Sequence, residues 1–217
     1  MTYSIVAFQP ETGEFGVAVA TRRTAVGARV PWLRSGFGAV ASQAISNPWL
    51  GVAALDLLAR GVSADAALEA ALALDPSPDQ RQLHLVDARG KTASWTGAQA
   101  PDHKGGVQGA NFSIAGNHLA TAEVVPRTAA AFAAAKGELA DRLLEALEAG
   151  DAAGGDARGR QSAALVVVRD EPFPYIDLRV DDDPVPLAKL RQILAQWREE
   201  RLTNPKPRSA FLKGLSP

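Results

Sequence analysis

The chain opens with two β-rich runs, residues 3–9 and 15–20, joined by Pro10-Glu11-Thr12-Gly13. Proline presets φ and glycine tolerates positive φ, so the two runs are predicted to form a hairpin. Residues 21–34 are polar and basic with Pro31 and Trp32 inside them, which predicts a loop, and Gly38-Ala39-Val40-Ala41-Ser42 returns to strand character. The period then changes. Trp49-Leu50, Ala53-Ala54 and Leu57-Leu58 recur at helical spacing up to Gly61, and Ser63 is predicted to cap a second helix with the stripe Ala67-Leu68, Ala71-Leu72 and the stop Asp75-Pro76. So many alanines imply close packing of both helices on a flat surface, that is, a sheet.

Residues 82–87 and 92–96, about the turn Ala88-Arg89-Gly90, read as a second hairpin. Residues 97–111 are rich in glycine and polar side chains and are predicted to form a surface loop before a strand at 112–117. Two helices follow at 124–135 and 138–149, the second with Leu139, Leu143-Leu144 and Leu147 on one face and Gly150 as its end. The continuous apolar run 163–168 predicts a strand buried on both faces, and 176–180 alternates as a strand that Asp181-Asp182-Asp183-Pro184 breaks. A last helix is predicted from Pro186 to about Arg201, with residues 1–202 as one domain and 203–217 as an extended tail. Helix pairs set between antiparallel runs, each too apolar to face water, predict an α+β fold: a four-layer α-β-β-α sandwich of two stacked, mainly antiparallel sheets.

Composition narrows the partners. With 217 residues, 47% of them hydrophobic, the chain can bury a sizeable core, and a formal charge of −1 without a basic run speaks against nucleic acid. The absence of cysteine excludes disulfides, thiolate metal sites and cysteine nucleophiles. No apolar stretch has the length of a membrane span or a signal peptide, so a soluble cytoplasmic protein is expected, with no membrane partner.

Candidate chemistry begins at Thr2. If Met1 is trimmed, Thr2 carries a hydroxyl and a free α-amine at the head of a strand, and an α-amine with an ordinary pKa of about 7.7–8.0 can take the hydroxyl proton without a separate histidine. Arg22, Arg23, Arg29 and Arg34 lie in the following loop, either as solvated surface or as a fork for a substrate carboxylate. His84, alternating with Leu83 and Leu85, reads as a hydrogen-bonded structural residue. His103 and His118 lack carboxylates at ligand spacing, so no metal is expected, and Gly105, Gly106 and Gly109 do not precede a helix, so no phosphate loop and no cofactor are expected. The stretch 150–162, with Asp156, Arg158 and Gln161, feeds the buried strand at 163–168, either as polar groups at a site or as a solvated connection.

The opening Thr-x-Ser-Ile-Val-Ala, the run Gly16-Val17-Ala18-Val19-Ala20, the stretch Gly38-Ala39-Val40-Ala41-Ser42-Gln43-Ala44 with Asn47-Pro48, and Gly154-Gly155-Asp156-x-Arg158-Gly159-x-Gln161-Ser162-Ala163-Ala164-Leu165 together resemble the bacterial family catalogued as domain of unknown function 1028. The likeness extends to about residue 200. That family is grouped with the N-terminal-nucleophile hydrolases, which implies the α-β-β-α fold and amide-bond hydrolysis by the first mature residue. The hairpin is also similar to that of a proteasome subunit, which implies a homo-oligomer as an option. Where proteasome-type sites carry Asp and Lys, this chain has Thr21 or Arg22 and no lysine before Lys91. Arg23 or Arg34 remains as a source of positive charge that can orient but not lose a proton.

The resulting expectation is an amidohydrolase for a small peptide or amide bearing a carboxylate. Thr2 attacks, backbone N–H groups at Ser42 and Gln43 hold the oxyanion, and Arg23, Arg34, Asn117, Asp156, Arg158 and Gln161 bind substrate. Two alternatives stand beside it: a catalytically inactive binding protein of the same fold for an acidic metabolite, with Met1 retained, and a structural subunit of an oligomer.

Overall fold

The computed structural model describes residues 2–101 and 103–203. Strands β1 (Thr2–Gln9) and β2 (Glu14–Thr21) form the predicted hairpin, closed by Gly13 N–H on the Gln9 carbonyl at 2.9 Å. They lie at the centre of a six-stranded sheet with β8 (Phe112–Asn117), β9 (Ser162–Val168), β10 (Ile176–Val180) and β7 (Gly105–Gly109), in the order β10-β9-β2-β1-β8-β7. A four-stranded sheet runs β3 (Pro31–Arg34), β4 (Gly38–Ala44), β5 (Arg81–Asp87), β6 (Thr92–Thr96). Every pairing in both sheets is antiparallel.

Helices α1 (Pro48–Ala59) and α2 (Ala64–Ala73) cover the outer face of the smaller sheet, and α3 (Val124–Ala134), α4 (Leu139–Ala152) and α5 (Pro186–Thr203) cover that of the larger one. The result is a four-layer α-β-β-α sandwich of two stacked antiparallel sheets. No helix among the described residues is long and apolar enough to cross a membrane.

Strand alternation decides what each layer holds. On β1, Tyr3, Ile5 and Ala7 face α4, whose Leu139, Leu143 and Leu147 stripe is fully buried. Each such leucine contributes about 1.5–3 kcal/mol by leaving water. Gly16 permits this contact, since a β-carbon there would stand 2.4 Å from Leu143 Cδ1. The opposite faces of the two sheets meet each other. One half of that interface is apolar, built from Val6, Phe15, Val17, Val19, Ala39 and Val86 among others. The other half, toward the start of β1, is polar.

Several local expectations change. Residues 31–34 are not loop but the edge strand β3, because Trp32 and Leu33 find cover against the helices and the facing sheet; Pro31, which lacks an N–H, is tolerated at an edge. The loop expected over 97–111 contains β7, an edge strand of three glycines about Val107 and Gln108, whose single apolar side chain makes no alternating pattern to read. Gly150 does not end α4 but lies inside it, where a β-carbon would stand 2.3 Å from Thr128 Oγ1 and 2.8 Å from Tyr3 Cε2. Ser63 takes the N-cap position of α2 without a side-chain bond, whereas Asn47 caps α1 by accepting the Trp49 N–H at 3.1 Å. The extended tail expected from residue 203 is helical at Thr203, and its remainder lies outside the described residues.

Candidate active site

Four strand ends converge at one corner of the larger sheet. Thr2 opens β1 opposite Asn117 at the end of β8, and Thr21 ends β2 opposite Ser162 at the start of β9. Thr2 shares the inward parity of Ser4 and Val6, so its hydroxyl lies between the sheets, 3.2 Å from Thr21 Oγ1. Thr2 is 6% exposed.

The glycine-rich segment is pinned to this corner by its polar side chains. Asp156 accepts the Arg22 backbone N–H at 2.6 Å and the Arg158 backbone N–H at 2.8 Å, and pairs with the Arg158 guanidinium at 3.1 Å. It also bridges Leu119 on the chain leaving β8. Gln161 accepts from Arg22 and donates to Thr24 Oγ1 at 3.1 Å and Asp182 Oδ1 at 3.0 Å. Ser162 Oγ donates to the Arg23 carbonyl and accepts the Val26 N–H at 3.2 Å. On the helix side of the sheet, Asp151 pairs with Arg160 at 2.6 Å beside Tyr3, whose hydroxyl donates to the Leu147 carbonyl at 3.0 Å. Burial raises the Tyr3 phenol well above its ordinary pKa, with the Asp151 charge adding to the effect.

Between the sheets a chain of buried polar groups runs back from Asn117. Gln82 Nε2 donates to the Gly116 carbonyl at 2.8 Å, while its Oε1 accepts from Asn117 Nδ2 at 2.9 Å and Gln43 Nε2 at 2.8 Å. Gln43 Nε2 also meets the Ala115 carbonyl at 3.1 Å, and its Oε1 takes the Ser4 hydroxyl hydrogen at 2.7 Å. Because that hydrogen is engaged, His84 Nε2, 2.8 Å from Ser4 Oγ, is the protonated ring nitrogen. His84 is fully buried, and burial pushes its pKa down to about 3, against a weaker upward effect of a hydrogen bond at Ser113, so it is neutral at ordinary pH.

Not every expected site residue reaches this corner. Arg34 pairs with Asp56 at 2.9 Å and sits opposite Gly38, five residues along β4 from Gln43, which is about 17 Å of strand. It is therefore removed from the site; the polar composition of residues 21–34 concealed a strand that carries Arg34 away. Ser42 does not offer a free oxyanion donor, since its N–H binds the Val30 carbonyl at 3.1 Å and its hydroxyl the Asn47 carbonyl at 2.8 Å. Ile45 N–H binds the Gln80 carbonyl at 3.3 Å, so two residues back Gln43 and Gln82 form a hydrogen-bonded pair of β4 and β5, and the Gln43 backbone N–H is engaged as well. Arg23 is exposed at the rim. Ser4 and Gln82 are not among the expected site residues, and Thr21 enters the sequence reading only as a residue at the proteasome-type Asp position. The period of β5 places Gln82 and His84 on one face, and that parity was the available signal.

Among the described residues, no three His, Asp or Glu side chains converge as metal ligands. Two surface grooves lie elsewhere, one between α3 and α4 at Arg127 and Ala149, the other beside α2 at Leu72 and Trp95.

No curated protein matches the chain significantly. A crystal structure of a Silicibacter pomeroyi protein of the DUF1028 family is 33% identical, with a TM-score of 0.85 over 92% of this chain and 86% of that one. Anbu, an ancestral β-subunit, from Yersinia bercovieri aligns over 95% of this chain and 99% of its own at 10% identity and a TM-score of 0.47. Anbu from Hyphomicrobium sp. strain MC1 aligns over 96% and 100% at 11% identity and a TM-score of 0.43. The description "Family of unknown function (DUF1028)" matches residues 2–190, and the chain belongs to that family.

Proposed function

We propose that this protein is an N-terminal-nucleophile amidohydrolase acting on a small amide or short peptide that carries a carboxylate. The observation that supports it is the placement of Thr2: a hydroxyl at the head of a central strand, aimed between the sheets and hydrogen-bonded to Thr21 where four strand ends meet. With Met1 removed, Thr2 Oγ1 attacks the amide carbonyl while the α-amine takes its proton. That proton passes to the leaving amine, and water then hydrolyses the resulting ester and restores the hydroxyl. Arg23 at the rim, with Arg22 and Arg158 beside Asp156, supplies positive charge for the carboxylate.

The alternative is a binding protein for an acidic metabolite. One observation favours it: the Ser42 N–H expected to hold an oxyanion is already engaged by Val30.

Intact mass of the untagged chain, followed by turnover of a panel of N-acyl amino acids and dipeptides, separates the two. A chain beginning at Thr2 that turns over at least one amide, with activity retained in part by Thr2→Ser and lost in Thr2→Ala, supports the enzyme. Retained Met1 with saturable binding of the panel and no turnover favours the binding protein.

A further inference from the structure

The amide chain between the sheets has a fixed direction, and it ends at Asn117, the residue paired with Thr2. The Gly116 and Ala115 carbonyls can only accept, so Gln82 and Gln43 must turn their NH2 groups toward them. Gln82 Oε1 is then an acceptor, and Asn117 must present Nδ2 to it at 2.9 Å, with the Thr2 carbonyl 3.4 Å from the same nitrogen. Flipping Asn117 would set its oxygen against two acceptors. Asn117 Oδ1 is consequently turned away, buried, and without a hydrogen-bond partner among the described residues. A buried acceptor left in this state is costly and marks the place of a donor.

The register identifies that donor. Phe8 N–H binds the Asn111 carbonyl at 2.8 Å, so Phe8 and Asn111 form a hydrogen-bonded antiparallel pair. Counting back by twos, Thr2 and Asn117 form another, and the nitrogen of Thr2 faces Asn117. As an amide, that nitrogen has one hydrogen, directed to the Asn117 carbonyl. As a free amine it gains a second one.

We propose that Asn117 is the positioning residue for the Thr2 α-amine of the processed chain, its backbone carbonyl holding one amine hydrogen and Oδ1 the other. With both hydrogens held on the β8 side, the lone pair is left for the Thr2 hydroxyl. Gln82 and Gln43 act through Asn117 by committing its Nδ2 to Gln82 Oε1 and the Thr2 carbonyl, which leaves Oδ1 as the unused acceptor. This assignment rests on the proposed removal of Met1, but not on any turnover.

The test is the pKa of the Thr2 α-amine, read from the pH dependence of its acylation or from its ¹⁵N shift, in full-length chain beginning at Thr2, produced by natural processing or by removal of a cleavable leader. Asn117→Leu, which keeps the shape and removes the acceptor, should lower that pKa by about half a unit or more, because the ammonium loses a partner in a dry corner. Asn117→Ala should move it the same way and serves if the leucine variant does not fold. Thr96→Val weakens the same network at its far side, where Gln82 Nε2 meets Thr96 Oγ1 at 2.9 Å; it should reduce thermal stability and leave the amine unchanged. An amine that titrates at the parent pH in both Asn117 variants, or that Thr96→Val moves equally, overturns the assignment. A dependence on Asn117 in a protein that hydrolyses no amide would uphold the assignment and remove the proposed function.

Discussion

Asp156 accepts the backbone N–H of Arg22 at 2.6 Å, across 134 positions of sequence, and so ties the glycine-rich segment to the end of β2. The same carboxylate takes the Arg158 N–H, so one side chain satisfies two backbone donors that the glycines could not.

Asp156→Ala is therefore expected to cost about 1–3 kcal/mol and to open residues 150–162 to proteolysis at protease concentrations that the parent resists. Asp156→Asn, which keeps one acceptor, should lose less. Urea midpoints and cleavage rates check this, and an unchanged midpoint in the alanine variant would show that the tie is not stabilising.

His84 makes stability depend on mild acid. Its pKa is about 3 when folded and 6.5 in its ordinary state, so the unfolded chain takes up a proton first as pH falls. The stability due to neutral His84 is full above 6.5 and declines down to about 3. By pH 4.5 the loss should be on the order of 2–3 kcal/mol. His84→Gln should flatten the curve of unfolding free energy between pH 7 and 4.5; an equally steep curve would assign the acid sensitivity to other groups.

Asp75 acts in a lower window. The Arg81 guanidinium, at 2.9 Å, is the main cause that holds its carboxyl at about 2, with Asn47 and the Ser77 N–H assisting against burial. A depressed carboxyl stabilises above its ordinary pKa of 3.8 and loses that contribution as pH falls toward 2. The contribution is on the order of 2 kcal/mol, and Asp75→Asn should lose it at neutral pH and show no further decline of its own below pH 4. Thermal denaturation from pH 7 to 2.5 distinguishes this window from that of His84.

Gly150→Ala reverses the usual effect of that exchange. In an open helix it would stabilise by about 1 kcal/mol. Here the new methyl meets Thr128 Oγ1 and the Tyr3 ring, and overpacking of that kind costs about 1–3 kcal/mol. A higher melting temperature for the variant would mean that the Tyr3 ring yields more easily than its burial and its bond to Leu147 imply.

Much of the fold was legible in the local period. The hairpin about Pro10 and Gly13, the β5–β6 hairpin, the buried run of β9 and the leucine stripe of α4 all carry their signal in neighbouring residues, because strand and helix side chains repeat at 2 and 3.6 positions. What escaped were elements whose cover comes from elsewhere: β7 has no apolar side chain but Val107, and β3 is four residues long, with a proline at its start and an arginine at its end. Gly150 looked like a helix end because its partner Tyr3 lies 147 positions away.

At the site the division is similar. The sequence by itself determined that a hydroxyl heads the first strand, that the chain has no thiol chemistry, and that Asp156, Arg158 and Gln161 precede a buried strand, since these are statements about neighbours. Only the tertiary structure decided that Arg34 is carried to the far end of β4, that the Ser42 N–H is taken by Val30, and that Gln43, Gln82 and Asn117 form one directed amide chain ending at Thr2. The direction of an amide is set by the carbonyls it meets across the gap between two sheets, and residues that meet there share no local pattern.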